Sequence, residues 1–432
     1  MILRELRSFV ECNCRLIGRS RLSARSPKST ATRSGGMHLV LLPSLPDDPF
    51  GSRGDQAMVF ATVSEFRGAY PGARISMVTS RSADTSSFNS LGFDSLPVWG
   101  RHFTHGDAAA SLNVASHFAA IGADVMDGFY WPPTVLRALD MCEQARALGL
   151  HVTILGFSFN ARPSSYCIRA FRMLNPAIRL LSRDPVSLER FERLTGRRAV
   201  LVADTAFCLR PRMTRVVESV GQWARGQSAE GRTVVGFNMH ALLLDEEGAC
   251  SERTLVQVAA RAISRLVDDM SVSAILIPHD FRGPRNDQAL LAKCADLIPA
   301  RSRDFVLLPD CEFMADELKA LTGSCDLVMT GRMHLAIAAL GMGVPIAVVS
   351  YQDKFEGLLE HFGLDRSALI SPRQLGDFES VWNWMEAALH SRIELAAQVR
   401  AKLPGVLDLA RRNFLWTSAE ERSSPTGGGV RR

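Results

Sequence analysis

Short apolar runs alternate with longer stretches whose apolar residues recur every three or four positions. Residues 38–42, 75–79, 152–156, 178–182 and 199–203 read as strands, and 56–66, 135–148, 166–174 and 186–194 as the helices between them. Residues 122–127 read as a further strand and loop. Asp55 stands where an N-cap of the first helix is expected. A polar segment with Gly221, Gly226 and Gly231 then interrupts the pattern, which restarts. Strands are expected at 233–238, 273–278, 305–308, 327–330 and 345–350, with helices at 251–270, 286–297, 313–324, 334–340, 355–362 and 378–414. Short buried strands separated by helices imply parallel βαβ units. The fold class is therefore α/β: two doubly wound Rossmann-like domains facing a cleft, residues 37–215 and 233–417, joined by a linker at 216–232. Open sheets of this kind bind ligands beyond the carboxyl ends of their strands.

Composition narrows the class without naming a function. Of 432 residues, 47% are hydrophobic and 22% charged, the balance of a globular protein and not of a collagen-like, coiled-coil or disordered chain. The longest charge-free apolar run, residues 335–349, is broken by Gly341, Gly343 and Pro345. It is too short to span a bilayer, so no transmembrane helix is expected. The net charge is +5, of which the first 36 residues carry +6 and residues 418–432 carry +1, leaving the body at −2. A basic nucleic-acid face on the folded part is not indicated. Residues 1–36, rich in Arg and Ser, read as a disordered basic extension, with a mitochondrial-type transit peptide as the alternative, and 418–432 as a disordered tail. The 9 cysteines are irregularly spaced and form no CxxC pair. No metal site is expected from them, and a reducing, cytoplasmic compartment is the simpler reading. His102, His105 and His117 are too scattered to suggest a metal site.

The most informative stretch is 326–354, DLVMTGRMHLAIAALGMGVPIAVVSYQDK. A buried strand ends at Thr330, Gly331 allows a tight turn, and a helix starts within two or three residues. Free N–H groups and the helix dipole favour an anion there. Arg332 supplies a planar fork for a carboxylate or phosphate, and His334 a group that exchanges protons near neutral pH. Lys354 lies just past the next strand. From spacing alone the alternative is equally open: Arg332 paired with a nearby Asp, His334 a polar residue at a helix start, and Lys354 solvated. Arg183 and Asp184 follow a strand and can equally pair with each other, with Ser187 capping the next helix. His279 and Asp280 end another strand at the same sheet edge as Arg332. His240 is a weaker candidate, Asp204 is placed to shape the cleft, and Arg53 sits in a glycine-flanked loop facing either an acceptor phosphate or solvent.

These motifs resemble those of the polysaccharide pyruvyl transferases. The correspondence rests on Gly331-Arg332-Met333-His334, on Gly343-Val344-Pro345 leading into a strand, and on Lys354 after it. It also rests on Gly54-Asp55 opening the first helix, Gly156-Phe157-Ser158 at a strand end, and Arg183-Asp184 followed by Ser187. It spans about residues 37–365, and Ser52-Arg53 stands where the family often has Asn before the Gly. The resemblance implies a GT-B-like fold and transfer of a pyruvyl group from phosphoenolpyruvate to a sugar, as a ketal, with phosphate leaving. No cofactor is implied, since phosphoenolpyruvate is a co-substrate. The implied partners are this donor and a saccharide acceptor, lipid-linked or nucleotide-linked, with peripheral membrane association possible and no nucleic acid. Carried over, Arg332, His334 and Arg183 contact this donor, and the demands of the reaction make His334 and Arg332 the catalytic candidates: His334 as general acid and Arg332 stabilising the departing phosphate. Arg183, Lys354, Asp55, Gly54 and His279 are the substrate-binding candidates, Asp55 doubling as a base for the sugar hydroxyls. A nucleotide-sugar glycosyltransferase, with Asp353 holding the donor ribose, and a catalytically idle scaffold are the competing readings.

Overall fold

The protein is described by a computed structural model over residues 36–100, 112–113, 115–246, 248–350 and 355–416. The first sheet takes β1 (His38–Leu42), β2 (Arg74–Ser80), β3 (Asp94–Trp99), β4 (His117–Ala123), β5 (His151–Phe157), β6 (Arg179–Ser182) and β7 (Val200–Leu201). Around it run helices α1 (Arg53–Ala69), α2 (Pro132–Ala147), α3 (Ser165–Met173) and α4 (Pro185–Thr195). The strand order is β3-β2-β1-β4-β5-β6-β7, with parallel pairing throughout, as in Leu39↔Ile75 and Leu39↔His117.

The second sheet is introduced by α5 (Arg215–Ala229) and built from β8 (Thr233–Phe237), β9 (Val272–Leu276), β10 (Val306–Leu307), β11 (Leu327–Thr330), β12 (Ile346–Val349) and β13 (Leu369–Ile370). Its helices are α6 (Glu252–Asp269), α7 (Asp287–Asp296), α8 (Ala315–Thr322), α9 (Met333–Gly341), α10 (Glu356–Phe362) and α11 (Phe378–Arg411). The order is β10-β9-β8-β11-β12-β13, again parallel.

Each sheet winds outward from its first strand and then returns to that strand's other side. The reversal falls between β1 and β4 in one sheet and between β8 and β11 in the other. These switch points are where parallel sheets open a crevice for ligands. The loop after β1 leads to Gly54-Asp55 in the first turn of α1, and the Gly331–His334 turn leaves β11, so both motifs occupy a switch point.

Several elements differ from the sequence reading for identifiable reasons. β3 is an edge strand with Pro97 and largely exposed Asp94 and Ser95, so it lacks the buried run that marks a central strand. β4 begins at His117 and not at Gly122: its HFAAIGA sequence is buried throughout, but Ala and Gly give little hydrophobic signal. The stretch expected as a linker is mostly α5, which buries Val217, Val220 and Ala224. Only Gly231 there takes a left-handed φ, 79°, in the turn before β8.

The end of the segment expected as the second domain, 233–417, also crosses back to the first domain. The first half of α11 buries Trp382, Met385 and Leu389 against α6 and the second sheet. Beyond it, Val399, Val406 and Ala410 join a core shared with α1, β1 and the first sheet. Asn413 then accepts from the Gly156 N–H at 2.9 Å and donates to the Ala203 carbonyl at 2.8 Å, and Trp416 packs edge-on to Phe66. Pro404 inside α11 forfeits one backbone hydrogen bond. Among the described residues no helix is long and apolar enough to cross a membrane.

Candidate active site

The two switch points meet. Ser52 caps α1 in an extended conformation, accepting the Asp55 N–H at 3.0 Å. The expectation that Asp55 is the cap is therefore corrected: it is the third helical residue, and its carboxylate accepts hydroxyl protons from Ser52, at 2.6 Å, and from Ser44. Gly54 lies against the His334 ring, so close that a Cβ there would fall 2.3 Å from Nδ1.

Arg332 is the N-cap position of α9, but its guanidinium turns to the second domain's own carboxylates. Nη2 and Nε donate to Asp287 at 2.6 and 3.2 Å, and Nη1 lies 3.5 Å from Asp280. Asp287 is fully buried and also accepts from the backbone N–H groups of His279 and Asp280 and from Asn238 Nδ2. Thr330 Oγ1 donates to Asn238 and accepts the Arg332 N–H. Every member of this network is satisfied, which is what allows charge inside a protein. The reading of Arg332 paired with a nearby Asp is thus the observed one, and the pair fixes the His279–Asp280 loop over the site. Burial tends to raise the Asp280 carboxyl, yet Arg282 and Arg332 outweigh it and hold it at about 2.

Arg183 is buried and joins the domains. Nη1 donates to Asp204 at 2.9 Å, Nε to Ser158 Oγ at 2.5 Å, and Nη2 approaches Met333 Sδ at 3.3 Å. Its neighbour Asp184 is not its partner, since it caps α4 by accepting the Ser187 N–H at 2.7 Å. Asp204 Oδ2 lies 3.8 Å from His334 Nε2. That nitrogen is buried and has no hydrogen-bond partner among the described residues.

His334 shares a pocket with Arg53, His279 and Lys319, walled by Ala57, Ala206 and other apolar residues. Burial drives the His279 ring well below the usual histidine range, and Arg332 and His334 add to that. Burial likewise lowers Arg53, against the pull of Glu312 and Asp280. Burial brings Lys319 to about 8, with Nζ donating to the Phe207 carbonyl at 2.8 Å. The domains are pinned around this pocket: Gln56 Oε1 accepts the Ala315 N–H at 2.7 Å, and Arg53 Nε donates to the Phe313 carbonyl.

Of the sequence candidates, the fold brings Gly54, His334, His279 and Arg53 together, joins Arg183 to them through Asp204, and holds Arg332 behind them on Asp287. Lys354 and Asp353 lie outside the described residues, as do His102 and His105. His240 is fully buried beside Gly331. Asp287 and Lys319 carry no motif. Their only sequence signals are an acid directly after the helix cap Asn286 and a lysine on an otherwise apolar helix face.

Two parallel α/β domains with their switch points apposed define a GT-B-like protein. Solved structures agree in fold. UDP-GlcNAc 2-epimerase from Neisseria meningitidis, bound to UDP-GlcNAc, superposes with a TM-score of 0.53 at 8% identity, covering 88% of this chain and 100% of that one. Anabaena HepE in complex with UDP-glucose gives 0.52 at 13% identity over 88% of this chain and 95% of that one. The family model of the polysaccharide pyruvyl transferases matches residues 53–353, and the chain belongs to that family. The amylovoran biosynthesis protein AmsJ of Erwinia amylovora is 23% identical over 239 residues, 53% of this chain and 51% of that protein. The chain thus spans about half the length of this curated relative.

Proposed function

We propose that the protein transfers the pyruvyl group of phosphoenolpyruvate to a saccharide of an exopolysaccharide or cell-surface glycan. The product is a ketal bridging two hydroxyls, and inorganic phosphate leaves. The observation that carries this reading is the buried Nε2 of His334, without a hydrogen-bond partner among the described residues and 3.8 Å from Asp204, in a pocket whose other polar groups are Arg53, His279 and Lys319. Such a pocket suits a small, multiply charged anion. Family membership and the polysaccharide-biosynthesis relative support the same reaction.

In this mechanism His334 gives a proton to the donor's methylene carbon, which becomes a methyl. One acceptor hydroxyl adds to the oxocarbenium-like C2, the second displaces phosphate, and their two protons restore His334 and protonate the leaving group. Arg53 and Lys354 bind the donor's charge. Arg332 and Arg183, already engaged by carboxylates, position the His279 loop and Asp204 and do not clamp the donor. Asp55, held by two serine hydroxyls, orients the α1 entry. The acceptor is lipid-linked or nucleotide-linked and the reaction is cytoplasmic, where the free cysteines among the described residues stay reduced.

The test is incubation of the purified chain with phosphoenolpyruvate and candidate glycans, following phosphate release and acceptor mass gain. His334→Asn is expected to lose at least a hundredfold in rate while melting normally. Thermal stabilisation by nucleotide sugars and not by phosphoenolpyruvate would overturn the assignment in favour of a glycosyltransferase.

A further inference from the structure

We infer that Asp204 is a positioning residue for the proton donor: from the first domain it steers the Nε2 edge of His334, in the second, so that the ring delivers its proton from the Nδ1 edge beside Gly54. The inference rests on the transferase reading above and deepens it.

The two nitrogens of the His334 ring face different surroundings. The side chain keeps 18% of its surface open, yet Nε2 is buried. What Nε2 faces is Asp204 Oδ2, at 3.8 Å, on a side chain only 3% exposed. Nδ1 lies toward the Gly54 backbone, where a Cβ would fall 2.3 Å away. A glycine at that position leaves the Nδ1 edge without a side chain over it. A proton on the buried nitrogen, aimed at a carboxylate, has no path to a carbon of the donor.

The carboxylate is held from both domains. Oδ1 accepts the Ala206 N–H at 2.9 Å and caps the 3₁₀ turn Thr205–Cys208, while Oδ2 accepts Arg183 Nη1 at 2.9 Å. Arg183 is fixed in turn by Ser158, with Nε donating to Oγ at 2.5 Å. The carbonyl of Ala203, next to Asp204, accepts Asn413 Nδ2 at 2.8 Å. Lys319 of the second domain reaches into the turn and donates to the Phe207 carbonyl at 2.8 Å. Two accepted bonds leave a carboxylate with lone pairs to spare. Contacts of this kind are often long until the reactants bind and tighten them.

The arrangement dictates which nitrogen works. A carboxylate opposite Nε2 favours the neutral ring with its hydrogen there, leaving Nδ1 to gain and give the mobile proton, and it steadies the imidazolium in between. In the transfer the Nδ1–H bond breaks and a C–H bond forms at the donor's methylene carbon. The pair left on Nδ1 then takes the proton of the first acceptor hydroxyl as its oxygen bonds to C2. Arg183 acts at one remove, fixing the group that fixes the ring. Because Asp204 and His334 come from different domains, the orientation of the ring depends on the apposition of the two switch points.

The test uses the full chain with Asp204→Asn, which keeps the size of the side chain and an acceptor for Arg183, and Asp204→Glu. Nitrogen-15 NMR of the histidine rings, with His334 assigned from His334→Asn, should show the neutral wild-type ring protonated at Nε2 and Asp204→Asn shifted toward Nδ1. Turnover is followed with phosphoenolpyruvate and, as acceptors, methyl β-D-galactopyranoside and methyl β-D-glucopyranoside. In Asp204→Asn kcat should fall about thirtyfold or more, with KM for phosphoenolpyruvate within about threefold of wild type, and Asp204→Glu should recover part of the rate. A wild-type ring protonated at Nδ1 overturns the inference, even where Asp204→Asn fails to fold. So does an Asp204→Asn protein that keeps the wild-type tautomer or the wild-type kcat. The expected tautomers in a protein that releases no phosphate from phosphoenolpyruvate sustain the pair and remove the transferase reading instead.

Discussion

Gly54 and His334, from different domains, pack backbone against ring: a methyl group on Gly54 would lie 2.3 Å from Nδ1 and 2.7 Å from Cγ. No real side chain tolerates that approach, so one partner must move. Gly54→Ala is expected to cost about 1–3 kcal/mol by overpacking and to lower the transfer rate at least tenfold by displacing the imidazole. Rate and urea melting, measured together, check this. Wild-type turnover in the alanine variant would mean that the ring position is irrelevant to the reaction.

The Asp287–Arg332 pair predicts an asymmetric mutational response. Asp287 is wholly buried and accepts five hydrogen bonds from four residues, so Asp287→Ala strands a guanidinium and several N–H groups. A loss of about 3–5 kcal/mol is expected. Asp287→Ala combined with Arg332→Met should recover part of it, because the uncompensated charge is gone. Chemical denaturation of the three variants completes the cycle. Purely additive losses would show that the two side chains do not interact.

Lys319 sets a pH dependence whose sign can be stated. Its folded pKa is about 8, below the ordinary 10.5, because it is buried. Between those values the unfolded chain binds more protons, so stability rises with pH across that window. At pH 7 the whole penalty is present, about 3 kcal/mol. Lys319→Met is therefore expected to raise stability at pH 7, less the hydrogen bond to Phe207, with its advantage shrinking by pH 10. Urea melts of both proteins at the two pH values decide it. An advantage that grows with pH contradicts the buried ammonium.

The returning chain end is a clamp on the first domain. Asn413→Ala would orphan the buried Gly156 N–H, whose acceptor it is, and remove a donor from Ala203. Leaving buried polar groups unmet costs about 1–3 kcal/mol. Truncation after residue 411 removes Trp416 from Phe66 as well and should cost more. Hydrogen exchange at the β5 end reads the effect locally, and unchanged protection there would mean that the clamp contributes nothing.

Much of the site was visible as motif and little of it as partnership. The turn after β11 and the helix behind it follow from four buried strand residues, Gly331 and an apolar helical run, all local. The apposition of His334 and Gly54 was not legible, because neither residue carries a mark of the other. Asp204 could be placed at a strand end but not assigned to Arg183.

By itself the amino-acid order determined the strand–helix alternation, the division into two wound sheets and the family motifs, since each is written within ten to twenty consecutive residues. Only the tertiary structure decided that Arg332 answers Asp287, that His334 stands beside Asp204, that Lys319 is buried, and that the last helix crosses back. Those outcomes depend on distances between residues remote in the chain, which packing sets and no local pattern encodes.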